Sequence, residues 1–188
     1  FKKGLDSLYE GKPELSQKIF DEAEKLNPNQ EIIWTTNVEI LTMEASDFNM
    51  PQLFVSAENL NESAGIFMNF NADYFFYKAQ IKRYQKKYEE AETYYKKANE
   101  LAPINTIFLK EWGMMYYEKG DYKNAADKFE KFLALIPDYW KNQSGEDYRL
   151  LIKHFPDLWD AVRYLYNSYE KLGNKEKLDY LSQFKVKK

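Results

Sequence analysis

The sequence predicts an all-α fold built from repeated helix pairs, and three observations carry that expectation. Only 7 Gly and 6 Pro interrupt 188 residues dominated by Lys, Glu, Leu, Tyr, Phe and Ala, a balance that favours long helices over short strands joined by turns. Segments YEEAETYYKKANELAP (88–103) and YKNAADKFEKFLALIP (122–137) align with Tyr88 on Tyr122, Ala91 on Ala125, Tyr95 on Phe129 and Pro103 on Pro137, each pair 34 residues apart. A third copy, GLDSLYEGKPELSQKIFDEAEKLNP (4–28), sets Gly4, Gly11, Phe20, Ala23 and Pro28 where 106–139 has Gly113, Gly120, Phe129, Phe132 and Pro137. A fixed period of this length is the mark of stacked supersecondary units.

The units follow in order. Residues 1–29 read as a truncated repeat: the chain opens at Phe1, inside the pattern, so further residues are expected upstream. Residues 30–71 read as a degenerate repeat, with helices in IIWTTNVEILTMEA and, after Met50-Pro51, in QLFVSAENLN, where proline suits a helix start. Pro28 and Pro103 are 75 residues apart, about seven more than two repeats need. The excess is placed near 59–71 as a longer, irregular connection, with Phe67, Met68 and Phe70 assigned to the core ahead of the alternative of an exposed apolar surface that would favour association. Residues 72–105 and 106–139 are the two regular repeats. Gly113 and Ala125 are expected where two helices cross closely, with aromatics filling the space beside them; Pro103 and Pro137 are expected to stop the second helices. Residues 140–156 (WKNQSGEDYRLLIKHFP) predict one short extra helix, and 157–188 a looser repeat carried by Tyr166, Tyr169, Gly173 and Leu178. The whole of 1–188 is expected to form one helical repeat domain.

On these residues the chain resembles the tetratricopeptide repeat family, most closely over 72–139, less so at 4–28 and 159–188, and weakly at 31–71. Leu109, Trp112, Gly113 and Tyr116 fit the first helix of the family unit, and Ala125, Phe129 and Pro137 the second. Lys78 and Lys82 stand where the family prefers apolar residues, and Leu178 replaces the usual alanine. The resemblance implies a right-handed α-solenoid of antiparallel helix pairs, about 10–11 helices in all, whose first helices line a concave face.

Composition narrows the function. A net charge of −3 at pH 7 repels phosphate backbones, which argues against a nucleic-acid partner. No cysteine is present, so disulfides, thiolate metal sites and cysteine nucleophiles are ruled out while the compartment, cytoplasmic or exported, stays open. No apolar run reaches the roughly 20 residues of a membrane span. The nucleotide-binding, serine-hydrolase and zinc-protease motifs are missing. The sole histidine, His154, sits near a predicted helix end, where it suits a capping or surface role. Glu89, Glu90, Glu92 and Glu100 read as a solvated helix face, with Glu92 four residues before Lys96. DFNMPQ (47–52) lacks the ligand pattern of a calcium loop. Asn61 and Asn142 head formal glycosylation triplets. No enzyme, cofactor or metal site is expected.

What the resemblance implies instead is protein or peptide binding on the concave face. Carried onto the two regular repeats, the partner-facing positions are Asp73, Phe76, Gln80, Arg83 and Tyr84, then Ile107, Lys110, Met114, Tyr117 and Glu118; about half are expected to pack on a neighbouring repeat instead. Aromatics and arginine are the residues that dominate binding hot spots. The carboxylate-gripping set of some family members is not matched, since Phe76 and Gln80 occupy two of its places and only Lys110, Arg163 and Asn167 suit it. The alternatives are a self-associating module of a larger envelope or secretion assembly, here a homo-oligomer, and a helical domain appended to an enzyme.

Overall fold

The computed structural model describes residues 31–136 and 156–182, together with positions 3, 15, 18, 19, 22, 25 and 26. Most of the 1–29 repeat, the extra helix of 140–155, Pro137, Asn142, His154 and the 185–188 tail lie outside the described residues. Among the described residues the structure has eight helices and no strand: α1 (Glu31–Asp47), α2 (Pro51–Phe67), α3 (Ala72–Tyr84), α4 (Tyr88–Leu101), α5 (Thr106–Lys119), α6 (Tyr122–Leu135), α7 (Pro156–Leu172) and α8 (Lys175–Ser182). The backbone groups into two compact units, 1–101 and 102–188.

In both units successive helices pair as hairpins, and among the described residues one backbone device closes α1/α2, α3/α4, α5/α6 and α7/α8. Asn49, Lys86, Gly120 and Gly173 all adopt positive φ, at 52, 60, 82 and 66°. Each amide donates three residues back, and the following amide five residues back, as with Gly120 N to Tyr117 O (3.0 Å) and Asp121 N to Tyr116 O (2.9 Å). This is the Schellman cap, which satisfies two helix-end carbonyls and reverses the chain. Two of the four positions are glycine, the residue without a side-chain penalty there.

In the first unit α1 pairs with α2 and α3 with α4, and both α1 and α2 lie against α3. The irregular connection expected near 59–71 is absent, because 59–67 are helical. α1 and α2 have 17 residues each, against 13 in α3 and 14 in α4, so the seven extra residues are spent as roughly one added turn per helix. Lengthening paired helices keeps every backbone amide bonded, which a loop insertion does not. Val38, Leu41, Ala57 and Ile81 form a buried cluster, with Leu53, Phe54, Leu60 and Tyr77 packed around it. Met68 is half-buried, and Phe70 is 45% exposed with its ring edge-on to Tyr74 at 4.9 Å, which corrects its assignment to the core. Gly65 is required by close approach: a Cβ there would lie 2.6 Å from the Tyr74 ring.

The two lysines that depart from the family pattern have partners on α2. Lys78 Nζ meets Glu62 Oε1 at 2.5 Å, and Lys82 Nζ meets Glu58 Oε1 at 2.7 Å. The Tyr74 hydroxyl also donates to Glu62, at 2.9 Å. Burial works to raise the carboxyls of Glu58 and Glu62, but the facing ammonium groups outweigh it and hold both below the usual range. A ladder of charge between α2 and α3 thus replaces apolar packing. Asn61 is 2% exposed and donates to Tyr74 O at 3.1 Å, so its glycosylation triplet is closed to modification.

In the second unit α5 pairs with α6, α7 lies against both, and α8 pairs with α7. Gly113 meets Phe129 so closely that a Cβ would sit 2.8 Å from the ring, and Ala125 is fully buried, as the close-crossing reading requires. Tyr164 stacks on Phe129 at 5.9 Å and 12°. Glu130 of α6 accepts from the Tyr169 hydroxyl of α7 and pairs with Lys177 of α8, joining three helices at one carboxylate.

Candidate functional site

The first unit presents a groove between its two leading helices. Positions 73, 77, 80 and 84 of α3 follow the i, i+4, i+7, i+11 spacing that keeps side chains on one helix face. Asp73 and Tyr77, with Glu31 and Thr35 of α1, line an open cleft of about 380 Å³. A much narrower one of about 20 Å³ continues from Tyr77 between Glu39, Thr42 and Met43 of α1 and Gln80 and Tyr84 of α3. Asn71, the cap of α3, fixes the mouth of the cleft. Its Oδ1 accepts from Tyr74 N at 3.1 Å, while its Nδ2 donates to Glu31 Oε1 at 2.7 Å.

The groove is electronegative. Burial and then the Glu31 carboxylate raise the pKa of Asp73. Tyr77 is pushed up to about 12, first by burial, then by Glu39, with Asp73 and Glu31 adding to it and a hydrogen bond to Thr35 opposing. Further along, the Tyr95 hydroxyl donates to Gln80 Oε1 at 2.6 Å, and Arg83 Nη1 reaches the same oxygen at 3.3 Å.

Three of the five positions expected on this helix, Asp73, Gln80 and Tyr84, therefore line the groove. Phe76 and Arg83 do not suit a partner-facing role. They are 6% and 4% exposed, Phe76 edge-on to Tyr95 at 6.1 Å and Arg83 over the Tyr84 ring at 5.5 Å. Phe76 and Arg83 stand one position before the half-buried groove positions Tyr77 and Tyr84, and the helical rotation carries them inward. Tyr77 was missed, although its i+4 spacing from Asp73 could have found it. The α1 residues were missed because the longer repeat breaks the 34-residue register.

In the second unit Ile107 (47% exposed), Glu118 and Arg163 are exposed, while Met114, Tyr117 and Asn167 are half-buried. Lys110 is a correction: its Nζ lies 2.5 Å from Asp157 Oδ1 and 3.0 Å from Glu111 Oε1. Burial disfavours its charge, but Glu111 and Asp157 outweigh this and raise its pKa, so the ammonium is committed internally. Arg163 pairs with Asp160 at 2.9 Å. Tyr117 is edge-on to both Tyr164 (5.0 Å) and Tyr122 (5.3 Å). Among the described residues no group of three His, Asp or Glu is placed to hold a metal, and no helix is long and apolar enough to cross a membrane.

Residues 73–139 match the model of the YpiA-like C-terminal tetratricopeptide repeats. The chain carries tetratricopeptide repeats. Solved structures agree in fold. A tetratricopeptide repeat protein of Thermus thermophilus, TTC0263, is similar at a TM-score of 0.55 and 15% identity, over 95% of this chain and 93% of that one. PilF of Pseudomonas aeruginosa is similar at 0.54 and 16%, over 97% and 86%. A structure of the APC/C hetero-tetramer Cut9–Hcn1 is similar at 0.58 and 16%, over 96% of this chain but 35% of the matched one. At these identities the likeness is one of tetratricopeptide fold, and such repeats generally mediate protein–protein interactions.

Proposed function

We propose that this chain is a non-catalytic scaffold that holds a protein or peptide segment against the first helices of its repeats, the face that the tetratricopeptide resemblance makes concave. The α1/α3 groove carries the proposal. It is open, it combines polar groups with the aromatic Tyr77 and Tyr84, and its mouth is held by the Asn71–Glu31 hydrogen bond. Pre-organised grooves of this kind lower the ordering cost of binding. Asp73, Gln80 and Tyr84 are the groove positions taken from the sequence, with Tyr77 added. In the second unit Ile107, Met114, Tyr117, Glu118, Arg163 and Asn167 remain candidates.

A photo-cross-linking residue at Tyr84, with a second version at the exposed Lys96 of α4 for comparison, tests this reading. A partner captured from Tyr84 and not from Lys96 supports it. Capture from Lys96 alone moves the working surface to the second helices.

One observation favours self-association as a second reading: Ile66 and Phe70, at 72% and 45% exposure, present apolar surface near the end of α2. A mass that rises with concentration in sedimentation, and returns to the monomer value in Ile66→Ser/Phe70→Ser, is the result that would put this reading first.

A further inference from the structure

The outer side of α2 differs from that of the other second helices. Gln52, Val55, Asn59, Ser63 and Ile66 fall on one face of this helix, and all are exposed, Val55 at 57% and Ile66 at 72%. None of them is charged. The exposed side of α4 carries Glu89, Glu90, Lys96, Lys97 and Glu100, and that of α6 carries Lys123 and Lys131. The two charges of α2, Glu58 and Glu62, belong to its flank against α3, where Lys82 and Lys78 hold them. We propose that this face pairs with the same face of a second copy, the two α2 helices running antiparallel about a two-fold axis beside Leu60 and Asn61. The inference rests on the self-association reading above and gives it a surface and a symmetry.

Charge selects the partner. Depletion of charge marks the core of an interface. A face without charge offers no steering to an acidic or a basic segment, but it meets its own copy without like-charge repulsion, the condition that a two-fold contact imposes.

The register follows from the two apolar ends. Val55 and Ile66 are eleven residues apart, about 16 Å along the helix axis. The antiparallel pair sets Val55 of each copy on Ile66 of the other, so a smaller side chain meets a larger one at both ends and the helices stay evenly spaced. A parallel pair would be wide where Ile66 meets Ile66 and narrow where Val55 meets Val55, with the helix dipoles aligned rather than opposed. Between the ends, Asn59 comes within one residue of Ser63 of the second copy. The Ser63 hydroxyl donates to Asn59 O of its own helix at 3.0 Å, which leaves its oxygen to accept from the incoming Asn59 amide. Glu62 arrives at the edge of the seam already held by Lys78 and Tyr74. None of the face residues lines the α1/α3 groove, so a pair would display two open grooves.

The test uses the whole 188-residue chain in analytical sedimentation. One helix face falls short of the roughly 1,200–2,000 Å² of a stable complex, so the mass should rise towards the dimer value between about 10 and 500 μM. Val55→Lys and Ile66→Glu each set a charge against an apolar side chain of the other copy and should weaken pairing about tenfold or more. Mixed in equal amounts, the two variants should pair again, because the antiparallel register puts the new ammonium beside the new carboxylate. The native chain has no cysteine, so Val55→Cys and Ile66→Cys supply a second readout. Under mild oxidation their mixture should cross-link faster than either variant alone, since like positions lie about 16 Å apart and a disulfide needs Cα atoms within about 7 Å.

A chain that stays monomeric at about 500 μM overturns the inference, and leaves the scaffold reading to its own test with the cross-linker at Tyr84. Association that neither substitution weakens also overturns it and moves self-association to another surface. Pairing lost in both charge variants and not regained on mixing, with no cross-linking advantage for the cysteine mixture, overturns the antiparallel register. Should a charge variant melt below the native chain, the cysteine mixture alone decides.

Discussion

The Tyr95 hydroxyl donates to Gln80 Oε1 at 2.6 Å, joining the fully buried centre of α4 to the groove face of α3. The positions 34 residues later are Phe129 and Met114, so the polar couple of one repeat is an apolar couple in the next. The pair is therefore expected to be exchangeable as a unit. Tyr95→Phe should cost about 1 kcal/mol, the net worth of a buried hydrogen bond, and Gln80→Met about 1–3 kcal/mol because it deprives a buried hydroxyl of this acceptor. Tyr95→Phe/Gln80→Met should recover most of the loss. A double-mutant cycle by urea denaturation measures the coupling, and additive losses would show that the two residues act independently.

Lys86 stands where the next repeat has Gly120, and both close a helix hairpin at positive φ. An L-residue pays about 1–2 kcal/mol for that conformation, while glycine loses mostly through unfolded-state entropy. Lys86→Gly should therefore stabilise the chain by roughly 0.5–1 kcal/mol net. That corresponds to about 1–4 °C in Tm for a chain of this size. Differential scanning calorimetry checks it; an unchanged or lower Tm would mean that the exposed Lys86 side chain offsets the backbone gain.

The ladder of Lys78 and Lys82 against Glu62 and Glu58 predicts a pH dependence with a definite sign. Both glutamates are held below their ordinary pKa in the folded chain. Their contribution is present above the unfolded value of about 4.3 and is lost as the pH falls through the lower folded values. Asp73 and Glu44, both raised by burial first, act oppositely, since protonation relieves them. Glu58→Gln/Glu62→Gln should flatten the acid limb of the stability curve below about pH 4.3. The cost at pH 7 should be at most about 1 kcal/mol per pair, because the partners are partly exposed. An unaltered acid limb would assign the acid sensitivity to other groups.

How much of this was legible in the sequence depends on the distance over which each feature is specified. The Gly113–Phe129 crossing and the Gly120 and Gly173 turns belong to single hairpins, so a 34-residue comparison finds them. The seven-residue excess could be counted, but its position could not. Only the paired 17-residue lengths of α1 and α2 show that it became helix, since an apolar run ending in Phe67 reads equally as helix or connection. Tyr77 and the α1 side of the groove were hidden for a related reason: helical period gives the faces of one helix, while hairpin length decides which faces meet. Lys110 and Asp157 are 47 residues apart, and no local pattern predicts that they pair.

That pairing yields a prediction about what the second unit does not do. Lys110 was one of three residues compatible with gripping a carboxylate, yet its ammonium already serves Asp157 and Glu111. Lys110→Met should destabilise the chain by about 1–3 kcal/mol, because two partly buried carboxylates lose their shared cation. Lys110→Met/Asp157→Leu should restore part of that loss. In the native chain a peptide ending in a free carboxylate should bind no better than its amidated form. Asp157→Asn, which releases one of the two internal claims on the ammonium, should then create a preference for the free carboxylate, measurable by fluorescence polarisation at low salt. A preference already present in the native chain would show that a ligand carboxylate displaces Asp157, and Lys110 would return to the binding face.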